Sequence, residues 1–180
     1  MEPGNVFLVG MMGAGKSTVG KALARRLGRE FLDCDREIVE RTGVPIATIF
    51  EIEGEEGFRR RETAVLAELA LRRDAVVATG GGAVLCEENR RLMRESGTVV
   101  YLHASIDHLH ERTRRDVARP LLATGDRRAT LAALLETRDP LYREVAHIVV
   151  ESGAPSAATL AGRIVGALEL RERSADESPR

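Results

Sequence analysis

The run "GMMGAGKSTVGKALARRLG" begins at Gly10 and follows the apolar stretch "NVFLV". Gly10, Gly15, Lys16 and Ser17 fit the spacing G-x-x-x-x-G-K-[ST]. Glycines let backbone N–H groups curl around a phosphate with no Cβ in the way. The N-terminus of the following helix adds partial positive charge. Lys16 is a mobile point charge for the β- and γ-phosphates, and Ser17 offers a hydroxyl to Mg²⁺. The loop residues Gly13, Ala14, Gly15, Lys16, Ser17 and Thr18 are therefore candidates for binding a nucleoside triphosphate. The motif alone does not choose between a switch GTPase, an ATPase and a small-molecule kinase.

Three further clusters could serve an acceptor. "LDCDREI" places Asp33 and Asp35 at the end of a short strand, where alternation turns them to opposite sides. One could face a metal and the other a substrate hydroxyl; a helix cap at Asp35 is the structural alternative. "GEEGFRRRE" puts Arg59 and Glu62 on one helix face. A cation in a first helical turn opposes the helix dipole, which suggests that Arg59 clamps an anion. Arg60 and Arg61 read as a solvated face. "VVATGGGAVL" ends a buried strand with Gly80, Gly81 and Gly82, a sequence suited to close backbone approach by a ligand. Arg112 and Arg119 lie in or beside a basic segment with Pro120 and Gly125. A mobile cation there could stabilise a phosphoryl group in transfer. Arg138, before Pro140, is unremarkable on residue chemistry alone. His103, His108, His110 and His147 form no chelating pattern and read as structural or exposed. Cys34 reads as core.

The elements that must position these groups alternate. "NVFLV" (5–9), "AVVAT" (75–79), "TVVYLH" (98–103) and "HIVVE" (147–151) suit strands buried on both faces, and "EFLDCD" (30–35) is a shorter candidate. Helical patterns cover roughly 16–27, 34–42, 55–72, 87–95, 105–115, 128–138 and 156–172. This βαβ rhythm predicts an α/β/α three-layer domain around a five-stranded parallel sheet. One domain over 1–172 is expected, with a substrate-binding region at 33–62, a lid at 113–127 and a flexible tail at 173–180.

Composition narrows the partners. The 180 residues carry a net charge of −1 and no Trp, which argues against nucleic acid. No apolar run is long enough to span a bilayer, and the N-terminus lacks a signal-peptide pattern. Two distant cysteines suggest neither disulfide nor zinc, so the cytoplasm is expected, with the protein a monomer.

Taken in order, "GMMGAGKSTVGKALA", "FLDCDREIVERTGVPIATIFEIEGEEGFRRRE", "TGGGAV", "RPLL" and "RDPLY" resemble the shikimate kinases, a P-loop family of the nucleoside-monophosphate-kinase-like group. The resemblance runs over roughly residues 5–170. It implies ATP- and Mg²⁺-dependent phosphorylation of the 3-hydroxyl of shikimate, on the route to chorismate and aromatic amino acids. It implies substrate binding by Asp35, Arg59, Arg138 and the backbone of Gly80, Gly81 and Gly82. It makes Ser17 and Asp33 the metal-side residues, Arg119 the lid arginine and Arg112 a nucleotide-binding arginine. Lys16, Asp35 and Arg119 are then the catalytic set. The loop "ESGAP" is short for the family, which leaves the adenine contacts open. A kinase of another polyol acid, such as gluconate, and a nucleotide switch are the alternatives. No N-K-x-D guanine motif is present.

Overall fold

The computed structural model describes residues 4–116, 119–123 and 125–176. Its strands are β1 (Asn5–Val9), β2 (Glu30–Asp33), β3 (Ala75–Ala78), β4 (Gly97–His103) and β5 (Ile148–Glu151), and its α-helices are α1 (Lys16–Leu27), α2 (Cys34–Thr42), α3 (Ile46–Ala70), α4 (Glu87–Ser96), α5 (Ile106–Thr113), α6 (Arg127–Val145) and α7 (Ala157–Asp176). Short 3₁₀ turns cover Ala83–Leu85 and Pro120–Leu122. The sheet is parallel throughout, in the order β2-β3-β1-β4-β5. It is the five-stranded parallel sheet with flanking helices that the alternation predicts.

All five residues of β1 are buried. The strand pairs with β3 through Leu8 and Ala78 and with β4 through Val9 and Tyr101. A central strand covered by helices on both faces explains why "NVFLV" has no polar alternation. The chain leaves β1 toward one side of the sheet for β2 and returns on its other side for β4. A parallel sheet opens a ligand crevice at the carboxyl ends of its strands where the order reverses in this way. Gly10, Asp33 and Gly80 all lie just there.

Three boundaries differ from the sequence reading for a local reason. β2 stops at Asp33, because the Asp33 side chain accepts from the N–H groups of Asp35 and Arg36 and starts α2. Asp35 is thus in a first helical turn and is not a strand residue, so strand parity does not separate the two acids. The helix expected at 55–72 begins at Ile46 and ends at Ala70, with a break at Gly54 (φ 73°, ψ −179°). Glycine tolerates that left-handed φ. α6 does not stop at 138 but passes through Pro140 to Val145. Glu136, whose carbonyl loses its N–H partner there, is exposed to water. Leu131, Arg138, Tyr142 and Val145 form the buried face that holds the helix together. α7 reaches Asp176, and 177–180 lie outside the described residues. So do 117, 118 and 124 of the segment read as a lid.

Candidate active site

The loop after β1 is shaped by glycine. Gly13 and Gly15 have φ of 82° and 97°, in the left-handed region. A Cβ on Gly13 would stand 2.8 Å from Thr113 Cγ2. Met11, Met12 and Ala14 are buried beneath, so backbone is what the loop shows to the cleft. Lys16 Nζ folds back and donates to the carbonyls of Gly10 (2.7 Å) and Met11 (2.9 Å). Burial of this ammonium, with Arg119 nearby, lowers its pKa to about 8, while Asp35 and Asp33 pull the other way.

Ser17 Oγ donates to Asp33 Oδ2 at 2.5 Å. Two hard oxygen donors thus meet at the rim of the phosphate loop. Mg²⁺ suits such a site, since it takes one or two protein oxygens and completes its shell with phosphate and water. No group of three or more His, Cys, Asp or Glu side chains among the described residues could hold a metal by itself. Around this corner lies a cleft of about 600 Å³, lined by Gly15, Lys16, Ser17, Thr18, Asp33 and Arg112 among others. Arg112 Nη2 stands over Gly15, 3.7 Å from where a Cβ would be.

A second, smaller pocket of about 90 Å³ opens beside it, lined by Phe50, Phe58, Arg59, Glu62, Gly80, Gly82 and Arg138 among others. Asp35, Gly81 and Arg119 line both. The small pocket is assembled from α2, α3, α6, the glycine turn after β3 and the Pro120 turn. Arg59 Nη1 donates to Glu62 Oε1 at 2.9 Å, and its Nη2 lies 3.3 Å from Glu55 Oε1. Arg59 sits five residues beyond the Gly54 break, not in a first turn. Two glutamates balance it, so the helix-dipole argument for its role falls and the pocket itself supplies the reason. Arg138 is 2 % exposed, despite carrying a permanent charge.

The triple glycine is pressed by these side chains. A Cβ on Gly80 would lie 2.4 Å from Glu62 Oε2 and 3.0 Å from Asp35 Oδ1. On Gly82 it would fall 2.2 Å from Arg59 Nη2, and on Gly81 3.4 Å from Arg138 Nη1. Close approach, then, is what the glycines permit, and the approaching groups are charged.

Among the described residues six buried side-chain polar atoms lack a hydrogen-bond partner, and four are Asp35 Oδ1, Arg59 Nε, Glu62 Oε2 and Arg138 Nη1. An unpaired buried polar atom costs roughly 1–3 kcal/mol. Two are guanidinium nitrogens and two are carboxylate oxygens, so the pocket offers a polar ligand both donors and acceptors. Burial raises the pKa of Asp35, and Asp33 adds to the shift, against Lys16, Arg119 and Arg59. Burial also raises that of Glu62, opposed by Arg59. Arg119 is held by Asp116 (Nε–Oδ2 2.7 Å) at the junction of the two compartments.

The sequence-predicted site residues line one or other of these two spaces, except Ala14, which is buried beneath the loop. Residue chemistry missed Glu62, whose signal was its three-residue spacing from Arg59, and gave no reason for Arg138. The histidines stay outside: His103 meets Glu151 at 2.8 Å, and His147 Nδ1 accepts from the Val99 N–H at 3.0 Å.

A family model described as shikimate kinase matches residues 12–169. The chain belongs to the shikimate kinase family. It is 60% identical over 171 residues to a shikimate kinase of Nitrosospira multiformis, covering 95% of this chain and 88% of that one. It is 58% identical to one of Bordetella avium, covering 93% and 80%. A solved shikimate kinase of Acinetobacter baumannii, in complex with shikimate, superposes with a TM-score of 0.92 at 50% identity, covering 94% of each chain. A gluconokinase of Sinorhizobium meliloti is more distant, with a TM-score of 0.62 at 25% identity over 94% of this chain and 97% of that one. The family places the chain among the kinases, and no described helix is long and apolar enough to cross a membrane.

Proposed function

We infer that this chain transfers the γ-phosphoryl group of ATP to the 3-hydroxyl of shikimate. The observation that carries the reading is the small pocket, which Arg59, Arg138, Gly81 and Asp35 line together and which shares Asp35, Gly81 and Arg119 with the phosphate cleft. Shikimate has one carboxylate, which suits two guanidinium groups, and hydroxyls, which suit a carboxylate acceptor.

The triphosphate lies along Gly13–Thr18, with Arg112 over the loop. Lys16 exchanges its two carbonyls for phosphate oxygens. Mg²⁺ would be held by Ser17 and Asp33 and would neutralise phosphate charge when bound. Asp35 accepts a hydrogen bond from the shikimate hydroxyl and takes its proton as the new P–O bond forms. The bond to the ADP oxygen breaks in line, and ADP leaves. A carboxylate whose pKa is raised by burial is a better base than an exposed one. Arg119, at the junction, stabilises charge on the group in flight. We propose residues 113–127, which carry Arg119, as the lid that excludes water as a competing acceptor. The free cysteines Cys34 and Cys86 are in keeping with a cytoplasmic enzyme.

A coupled assay of ADP release tests this. Release should require shikimate and be negligible with gluconate or with no acceptor. Equal rates with gluconate, or hydrolysis indifferent to shikimate, would overturn it.

A further inference from the structure

Carbonyls of the glycine turn and of the 3₁₀ turn that follows it are held from behind. Asn89 Nδ2 donates to Ala83 O at 3.0 Å and Arg90 Nη1 to Val84 O at 2.7 Å, both from α4. From α6, the Tyr142 hydroxyl donates to Gly81 O. Tyr142 is fully buried and stacks on Tyr101, with ring centroids 4.9 Å apart. Tyr101 in turn donates to Asp139 at 2.7 Å. Tyr142 is therefore fixed by packing, independently of any ligand.

This contact ties Gly81 to the turn of α6 that carries Arg138, and both of those residues line the acceptor pocket. Gly81 lines the pocket with its backbone. Arg138 lies one turn before Tyr142 on the same face of α6, four residues away. A Cβ on Gly81 would meet Arg138 Nη1 at 3.4 Å, so the guanidinium, the glycine and the phenol converge. Burial pushes the Tyr142 hydroxyl well above its ordinary pKa and keeps it a proton donor; Arg138 interacts with the same oxygen and pulls the other way. A phenol has one proton and two lone pairs. Given to Gly81, the proton fixes which way the remaining lone pairs face.

We propose that Tyr142 is a positioning residue for the acceptor: its hydroxyl locks the Gly81 carbonyl to the Arg138 turn of α6, and so sets the spacing of the groups that grip the substrate carboxylate. The role rests on the functional reading above. Tyr142 itself lines neither space, while Gly81 lies against both Arg138 and the backbone of Gly10 and Met12.

Tyr142→Phe removes one oxygen and keeps the ring stack. The KM for shikimate should rise roughly tenfold, the worth of about one hydrogen bond in a buried site. The KM for ATP should stay within about twofold, and kcat at saturation should change little. Tyr101→Phe is the control: it loses the bond to Asp139 but leaves Gly81 alone, and should lower Tm without moving either KM. A second readout needs no variant at position 142. The chain has two tyrosines, so fluorotyrosine labelling gives two fluorine resonances, assigned with Tyr101→Phe. Shikimate added to the labelled protein should shift the Tyr142 resonance.

An unchanged shikimate KM in Tyr142→Phe, an equal rise in both KM values, or a Tyr142 resonance indifferent to shikimate would overturn the role. A wild-type enzyme without shikimate-dependent ADP release would count against the functional reading itself. An active wild type with an unaltered Tyr142→Phe counts against Tyr142 alone.

Discussion

The phosphate compartment and the acceptor compartment are built in opposite ways. The cradle of the first is one continuous stretch, Gly10–Thr18, to which Asp33 and Arg112 are added from elsewhere, and Lys16 finds both its partners within six residues. The second draws Asp35, the Arg59–Glu62 pair, Gly81 and Arg138 from four places along the chain. Four of those residues keep a buried polar atom unpaired. Local geometry makes a general phosphate cradle, which many chemistries can share. Specificity for an acceptor needs distant groups brought together at a cost that the ligand offsets.

Variants can break that division. The largest effect belongs to Lys16→Met, which should lower kcat by on the order of a hundredfold or more. Its stability should hold, because the change removes a partly buried charge and keeps the chain volume. A stopped assay with a thermal melt checks both, and near-normal turnover would sink the phosphate-loop assignment.

Next comes Arg59→Ala. Removing one partner of a desolvated charge pair costs roughly 2–5 kcal/mol, and here it also strands Glu62 Oε1. Shikimate affinity by calorimetry should fall accordingly while ATP-analogue affinity holds. Gly82→Ala should be milder. Its Cβ would stand 2.2 Å from Arg59 Nη2, and the flexible end of that side chain can move aside. We expect a shikimate KM about tenfold higher, from displacing the Arg59 hydrogen bond to the substrate. An unchanged KM would mean that the guanidinium has room to spare.

The smallest effect lies outside both compartments. Burial, with Arg171 and Arg94, lowers the pKa of His147 below the ordinary 6.5. A histidine depressed in the fold takes up its proton more readily when unfolded. It thus contributes stability above pH 6.5 that is lost as pH falls through its folded pKa. Protonation would also break the bond it accepts from Val99. Between pH 7 and 5 the wild-type Tm should fall more than that of His147→Gln. Parallel curves would remove His147 from the account.

The same division decided what could be read from the sequence. The sheet was legible because "NVFLV" and "TVVYLH" are buried on both faces, a pattern with few other homes. The phosphate loop was legible because its chemistry is contiguous. Arg138 had no such signal: its burial comes from the face of α6 that packs on the core, and Pro140 hid the length of that helix. Arg59 was found through a mistaken first-turn argument; the Gly54 break puts it a turn further in. Asp33 and Asp35 do separate in space, Asp33 toward Ser17 and Asp35 toward the glycines. A helix cap, not strand alternation, divides them.

On this reading, acceptor and nucleotide are gripped by separable sets of residues that meet at Asp35, Gly81 and Arg119. Paired calorimetric titrations of Arg138→Ala test it most directly, one with shikimate and one with a non-hydrolysable ATP analogue. Shikimate affinity should fall by at least about thirtyfold, the lower end of the roughly 2–5 kcal/mol range for a broken charge pair, with the analogue bound as tightly as by the wild type. Loss of both affinities together, or unchanged shikimate binding, would contradict it.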